Sequence, residues 1–380
     1  MKKIIIAPDS FKGTMSSLEI CEILDGVVGQ YFPDAEIINL PIADGGEGTV
    51  DSFLAAAGGW KKTCTVSGPK FQRVEAKYGM LNKTTAVVEM AAAAGLPLMN
   101  GQLDVMHATT YGVGELINDA ISSGADTIYI GLGGSATTDG ATGAASALGV
   151  RFLDQSGKSF VPVGDSLNRI YSIDLSQIRQ EVRNTRFIAM CDIDNPLCGE
   201  QGAAHVFGPQ KGAAPEMIEV LDKGLENLAH VIRKCIGKDV IDIPGAGAAG
   251  GMGAGLIAFF NAETVMGINA LLDVAGFDQL LEDTAFILTG EGKLDQQSLH
   301  GKVVIGIARR AKKNKVPLFA IVGDIGDQIE EAYSEGVSGI FSINRLAVPF
   351  LQAKLRSKED MRLTADNLLR VLSLKLNLPE

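Results

Sequence analysis

At both ends of the chain, short apolar strands alternate with amphipathic helices, and in the middle that alternation breaks off. KKIIIAP reads as a strand, SSLEICEILDGVVGQYF as a helix opened by a Ser16/Glu19 capping box, AEIINLPI as a second strand and TVDSFLAAAGG as a helix. The pattern resumes with TAFILTG, KVVIGIARRAKK, PLFAIVG, DQIEEAYSEG and SGIFSI. Strand and helix in strict turn imply a parallel sheet covered on both faces, and five such strands suit a flavodoxin-like α/β fold. The central texture differs. TCTVSG, RVEAKYGML and TTAVVEM read as antiparallel strands, and RFLDQSGKSF as a hairpin. The simplest account is a discontinuous flavodoxin-like domain, residues 1–61 and 281–380, interrupted by a mixed α/β domain, residues 62–280.

The 380 residues suffice for two such cores, 46% hydrophobic with 21% charged residues describes a soluble globular protein, and an odd cysteine count with no CxxC pair fits a reducing, cytoplasmic setting. No apolar run approaches the length of a membrane span. A net charge of −11 opposes binding to nucleic acid or anionic membrane surfaces, so an anionic ligand would have to be held locally. Five cysteines without a CxxC pair point to neither a disulfide framework nor a zinc ribbon.

In open parallel sheets, ligands gather at the carboxyl ends of the strands. The loops predicted there carry acids beside glycines: Asp9, Ser10 and Lys12 in APDSFKGT, Asp44 and Glu47 in ADGGEGT, and Glu291, Lys293 and Asp295 in TGEGKLDQQS. Helix capping accounts for many such acids. It does not account for ADGGEG or TGEG, where acids stand between glycines as they do where Mg²⁺ and phosphate are held together. A second signal is GLGGSATTDGATGAASALG, residues 131–149, more than half Gly and Ala. It follows a predicted strand and enters a helix, so Gly133, Gly134 and Ser135 are expected to present N–H groups to an anion at a helix N-terminus. GAGAAGGMGAG contains GxGxxG at Gly245, Gly247 and Gly250, but the preceding DVIDIP is a poor strand. No GxxxxGK[ST], kinase or GxSxG signature occurs.

Taken in order, IAPDSFKGT, PIADGGEGT, ATTYGVGELI, GLGGSATTDG, CDIDNPLCG, FGPQKGA, PGAGAAGG and LTGEGKLDQQS resemble the bacterial type I glycerate kinase family along essentially the whole chain. The chain departs from the family pattern at Leu103–Met106, in place of Arg-Asn-Pro, and at Thr138, in place of Asn. The resemblance implies ATP-dependent phosphorylation of glycerate with Mg²⁺, in a cleft between a flavodoxin-like and a second α/β domain. On that reading the ATP phosphates fall to Gly133, Gly134 and Ser135, with Thr137, Asp139 and Lys211. Asp44, Glu47 and Glu291 become candidates for the metal, and Asp9, Ser10, Lys12 and Asp295 face glycerate or the transferred group. Asp192, expected at the carboxyl end of the buried strand FIAM, is the candidate general base. A nicotinamide-dependent hydroxy-acid dehydrogenase, resting on the GxGxxG, and a non-enzymatic sugar-acid or nucleotide sensor are the alternatives.

Overall fold

The computed structural model describes residues 3–43, 45–46, 48–299 and 301–374, which form two compact units, residues 1–44 with 268–380 and residues 45–267. The first unit is built on a five-stranded sheet in the order Gly339–Ser342, Leu318–Val322, Thr284–Gly290, Lys3–Pro8, Glu36–Asn39. All neighbours are parallel. The first strand thus pairs with the second and third strands of its own unit, the doubly wound order whose switch point lies between first and third. Pro8 is registered against Gly290 at that point, so the loops leaving both strands start side by side.

The apolar runs are buried on both sides of this sheet. Ile4, Ile6 and Leu288 pack with Ile20, Leu24 and Val28 of helix Ser17–Tyr31 and with Met361, Ala365 and Leu369 of helix Phe350–Leu372. Ile5 and Ile287, on the opposite face by the two-residue period, are also fully buried. Helix Val303–Lys313 packs on strands Thr284–Gly290 and Leu318–Val322. The expected capping box forms: Glu19 N–H donates to Ser16 Oγ at 3.2 Å, and Ser16 N–H to Glu19 Oε2 at 2.8 Å.

The second unit carries a six-stranded mixed sheet in the order Glu263–Val265, Arg186–Met190, Thr127–Gly131, Thr85–Glu89, Arg73–Met80, Trp60–Ser67. The first four run parallel, and the last two add an antiparallel hairpin. RFLDQSGKSF forms its hairpin within a separate small sheet.

The units divide after residues 44 and 267 rather than near 61 and 281. Helix Thr49–Ala57 belongs to the second unit because it packs on strands Arg73–Met80 and Thr85–Glu89. There Val50 N–H donates to Glu89 Oε1 at 2.7 Å and the Phe53 and Tyr129 rings meet. Helix Gly267–Val274 lies across the other border. Its Ile268 abuts Gly306, and its Asp273 pairs with Arg310, both on helix Val303–Lys313. Alternation along the chain could not show which sheet these two helices cover.

Gly290 shows how tightly the switch point is built, since a Cβ there would lie 2.0 Å from the Ile321 carbonyl oxygen. Gly290→Ala is therefore expected to destabilise the fold by about 1–3 kcal/mol, the usual range for overpacking. Gly26→Ala, inside helix Ser17–Tyr31 with nothing within 4 Å of the added methyl, should instead be neutral or stabilise by about 0.5–1 kcal/mol. Urea unfolding of the two variants checks the contrast.

Candidate active site

In the second unit, strands Thr127–Gly131 and Arg186–Met190 end in register, Gly131 opposite Met190. The glycine-rich loop leaves the first of these ends. Its glycines chiefly admit backbone. A Cβ on Gly131 would fall 2.6 Å from the Gly45 carbonyl oxygen, and one on Gly133 2.6 Å from Gly46 Cα. Gly133 N–H itself donates to the Gly45 carbonyl at 3.1 Å, and Ala136 N–H to the Ala94 carbonyl at 2.8 Å. Helix Thr142–Ala147 begins seven residues after Ser135, so Gly133, Gly134 and Ser135 do not stand in its first turn as the sequence led us to expect. Gly134 is exposed, with a left-handed φ of 74°, a conformation glycine adopts at no steric cost.

Past Ser135 the loop turns inward and becomes a buried polar cluster. Asp139 is fully enclosed. Its Oδ2 accepts from Thr110 N–H at 2.8 Å, Thr110 Oγ1 at 2.9 Å and Gly143 N–H at 3.3 Å, and its Oδ1 accepts from Ala141 N–H at 3.2 Å. Burial pushes its carboxyl up to about 6, against the pull of these donors. A carboxylate so occupied ties the ATTYG segment to the glycine-rich loop; it does not reach toward phosphate as the sequence reading had it. Thr110, which that reading passed over, supplies two of the four donors. The signal was in the sequence, as paired hydroxyls in ATTYG facing paired hydroxyls in SATTD.

Lys211 ends the short 3₁₀ turn Pro209–Lys211 and is only 2% exposed. Its Nζ donates to Ser135 Oγ at 2.9 Å and to the Thr137 carbonyl at 2.6 Å. Burial lowers its pKa to about 7, with the Asp139 charge pulling the other way. The Thr137 and Thr138 hydroxyls are buried with no hydrogen-bond partner among the described residues. Buried hydroxyls are ordinarily satisfied, so two adjacent orphans beside a lysine make this cluster a candidate for an acceptor-rich ligand. Thr138 is thus a site candidate that the sequence showed only as a departure from the family motif.

Gly245, Gly247 and Gly250 face protein. A Cβ on Gly247 would sit 2.2 Å from the Pro196 carbonyl oxygen, and one on Gly250 2.0 Å from that of Thr137. No strand precedes them within residues 237–246, so the strand–turn–helix context of a dinucleotide fingerprint is missing. Asp192 lies two residues beyond strand Arg186–Met190, half-buried, its Oδ1 accepting from Gly267 N–H at 2.8 Å.

In the first unit the switch point gathers carboxyls. Asp9 and Glu291 are both buried, and Asp9 Oδ1 accepts from Ser10 N–H. Glu291 Oε1 has no hydrogen-bond partner among the described residues. Burial first, then the Asp9 charge, pushes the Glu291 carboxyl up to about 8, opposed by Ser298 and Lys302. Lys12 is exposed on the loop after Ser10. Asp295 has the geometry of a cap, its Oδ1 accepting from Gln297 N–H at 3.0 Å at the start of helix Gln296–Leu299. Asp44 and Glu47 lie outside the described residues. Among the described residues no three His, Cys, Asp or Glu side chains cluster as a metal cage. Mg²⁺ usually takes only one or two protein carboxylates beside phosphate and water, and Glu291, with one buried oxygen unpartnered among the described residues, fits that demand.

A family model described as "Glycerate kinase family" matches residues 4–373. The chain belongs to the glycerate kinase family. It is 43% identical to a glycerate kinase of Bacillus cereus over 97% of each chain, and 43% identical to the glycerate 2-kinase of Escherichia coli over 90% of each. A solved structure from Salmonella typhimurium LT2, assigned as a glycerate kinase 2, superposes with a TM-score of 0.86 at 40% identity over 98% of each chain. In this family member no described helix is long and apolar enough to cross a membrane, and all five cysteines are free.

Asp139→Ala should cost about 3 kcal/mol or more, because three buried N–H groups and a hydroxyl lose their acceptor. Asp139→Asn should lose only about 1 kcal/mol, since its amide oxygen can take the place of Oδ2. The folded carboxyl lies above its unfolded value, so the native state binds more protons between pH 4 and 6. The stability advantage of the wild type over Asp139→Asn should therefore shrink as pH rises through that window, as urea titrations at stepped pH would measure.

Proposed function

We propose that this chain transfers the γ-phosphoryl group of ATP to the 2-hydroxyl of glycerate, giving ADP and 2-phosphoglycerate. Family membership sets the reaction class, and the name of the Escherichia coli relative favours the 2-hydroxyl. The observation that carries the assignment of parts is the buried cluster of Ser135, Thr137, Thr138 and Lys211, with two hydroxyls that lack a hydrogen-bond partner among the described residues.

Phosphoryl transfer needs in-line positioning, charge neutralisation and an acceptor for the proton of the attacking hydroxyl. Gly134, Ser135, Thr137 and Lys211 are assigned to the nucleotide phosphates. Gly133 and Asp139 shape that loop from within. Asp192 takes the hydroxyl proton as the alcohol oxygen bonds to phosphorus and the bridging bond to ADP breaks. Asp9, Ser10, Lys12 and Asp295, at or just past the switch point of the first sheet, are assigned to glycerate. Glu291, with Asp44 and Glu47 on motif grounds, would hold Mg²⁺, which when bound neutralises phosphate charge. The raised carboxyl of Glu291 suits a group that ionises only when a cation shares its site.

Phosphorus NMR of a reaction with D-glycerate and ATP is expected to show 2-phosphoglycerate and ADP; 3-phosphoglycerate or no product would overturn the assignment. Turnover should stop with excess chelator and return with Mg²⁺. Asp192→Asn keeps an oxygen for Gly267 N–H and removes the charge, so kcat should fall by about 10²- to 10⁴-fold while thermal stability is nearly unchanged. Near-normal kcat would make Asp192 the anchor of Gly267 and nothing more.

A further inference from the structure

Lys211 does not present its charge at a surface. Two of its three ammonium hydrogens go to Ser135 Oγ and the Thr137 carbonyl, on either side of Ala136. The third has no acceptor among the described residues. On another side, the left-handed turn Ala249–Gly251 presses against the same loop. A Cβ on Gly250 would fall 2.0 Å from the Thr137 carbonyl oxygen and 2.7 Å from Thr138 Cα, while Gly140 N–H donates to the Gly250 carbonyl at 3.0 Å. The segment from Ser135 to Gly140 is therefore gripped by Lys211, by Asp139 and by that turn, and within it the Thr137 and Thr138 hydroxyls are buried with no hydrogen-bond partner among the described residues.

We propose that Lys211 is a positioning residue for the nucleotide. By joining Ser135 to the Thr137 carbonyl it sets the loop so that the Thr137 and Thr138 hydroxyls become the donors to phosphate oxygens. The inference rests on the phosphotransfer reading and adds to it the donor pair, Thr138 in particular, and the part played by the lysine. Burial disfavours the charged lysine, and the Asp139 charge pulls the other way. Asp139 is itself occupied by Thr110, Ala141 and Gly143. A phosphate arriving beside this lysine supplies a further counter-charge, so nucleotide binding should draw a proton onto Lys211.

The test uses the full-length protein with Lys211→Met, Thr138→Val and the wild type. ADP binding is measured with Mg²⁺ by calorimetry near pH 8 in two buffers of different ionisation enthalpy, beside steady-state kinetics and thermal unfolding. The wild type should take up protons on binding. Lys211→Met should lose most of that uptake and bind ADP about 10- to 100-fold more weakly, with glycerate KM changed less than about twofold. Thr138→Val should weaken ADP by about 3- to 10-fold and keep the proton uptake. Wild-type ADP affinity or proton uptake in Lys211→Met overturns the proposal. So does equal weakening of ADP and glycerate. If Lys211→Met does not fold, unchanged ADP affinity in Thr138→Val overturns it. A wild type that binds no ADP overturns the phosphotransfer reading instead.

Discussion

The enclosed carboxylate of Asp139 is the interaction on which the second unit's site depends. It accepts from Ala141 and Gly143 just beyond it and from Thr110, 29 positions earlier, whose hydroxyl in turn accepts from Ala144 N–H at 2.9 Å. A buried charge is tolerated only where hydrogen bonds replace water, and here they do so with backbone groups that would otherwise be orphaned. The order imposed on residues 139–143 carries back along the loop to Thr138 and Thr137, and Lys211 completes it. Remove the carboxylate, and the donors that define the loop's path have nothing to meet.

Glycine plays the complementary part. Its value in this site lies less in exposing N–H groups to a ligand than in letting chain segments touch. Gly131 and Gly133 admit residues 45 and 46, Gly247 admits the Pro196 carbonyl, and Gly250 admits that of Thr137. Such contacts convert flexible, side-chain-poor segments into a rigid surround. That explains why a stretch rich in glycine can form a defined site in spite of its conformational freedom.

The first unit solves a different problem with the same means. Gly290 packs against the Ile321 carbonyl and Gly323 against that of Gly292, and at the switch point Asp9 and Glu291 are buried close enough for the Asp9 charge to disfavour that of Glu291. Two buried acids in one place are unfavourable for folding alone. They are the arrangement expected where a cation or a substrate hydroxyl is to be held.

By itself the sequence determined the doubly wound first sheet, the mixed second sheet and the family. Strand–helix alternation and residue order encode these locally, and a parallel sheet leaves few ways to bury them. It did not determine which way each polar side chain turns. Asp139 carries the functional group that a phosphate-facing site would need, yet it organises the loop, because backbone donors enclose it and exclude solvent. Thr110, Thr138 and the buried lysine became meaningful only when segments dozens of residues apart were packed together. Nor could alternation assign helices Thr49–Ala57 and Gly267–Val274 to their units, since either sheet offers an apolar face. Those choices belong to the tertiary structure, where burial makes an unpaired polar group unfavourable and so selects the partner from distant parts of the chain.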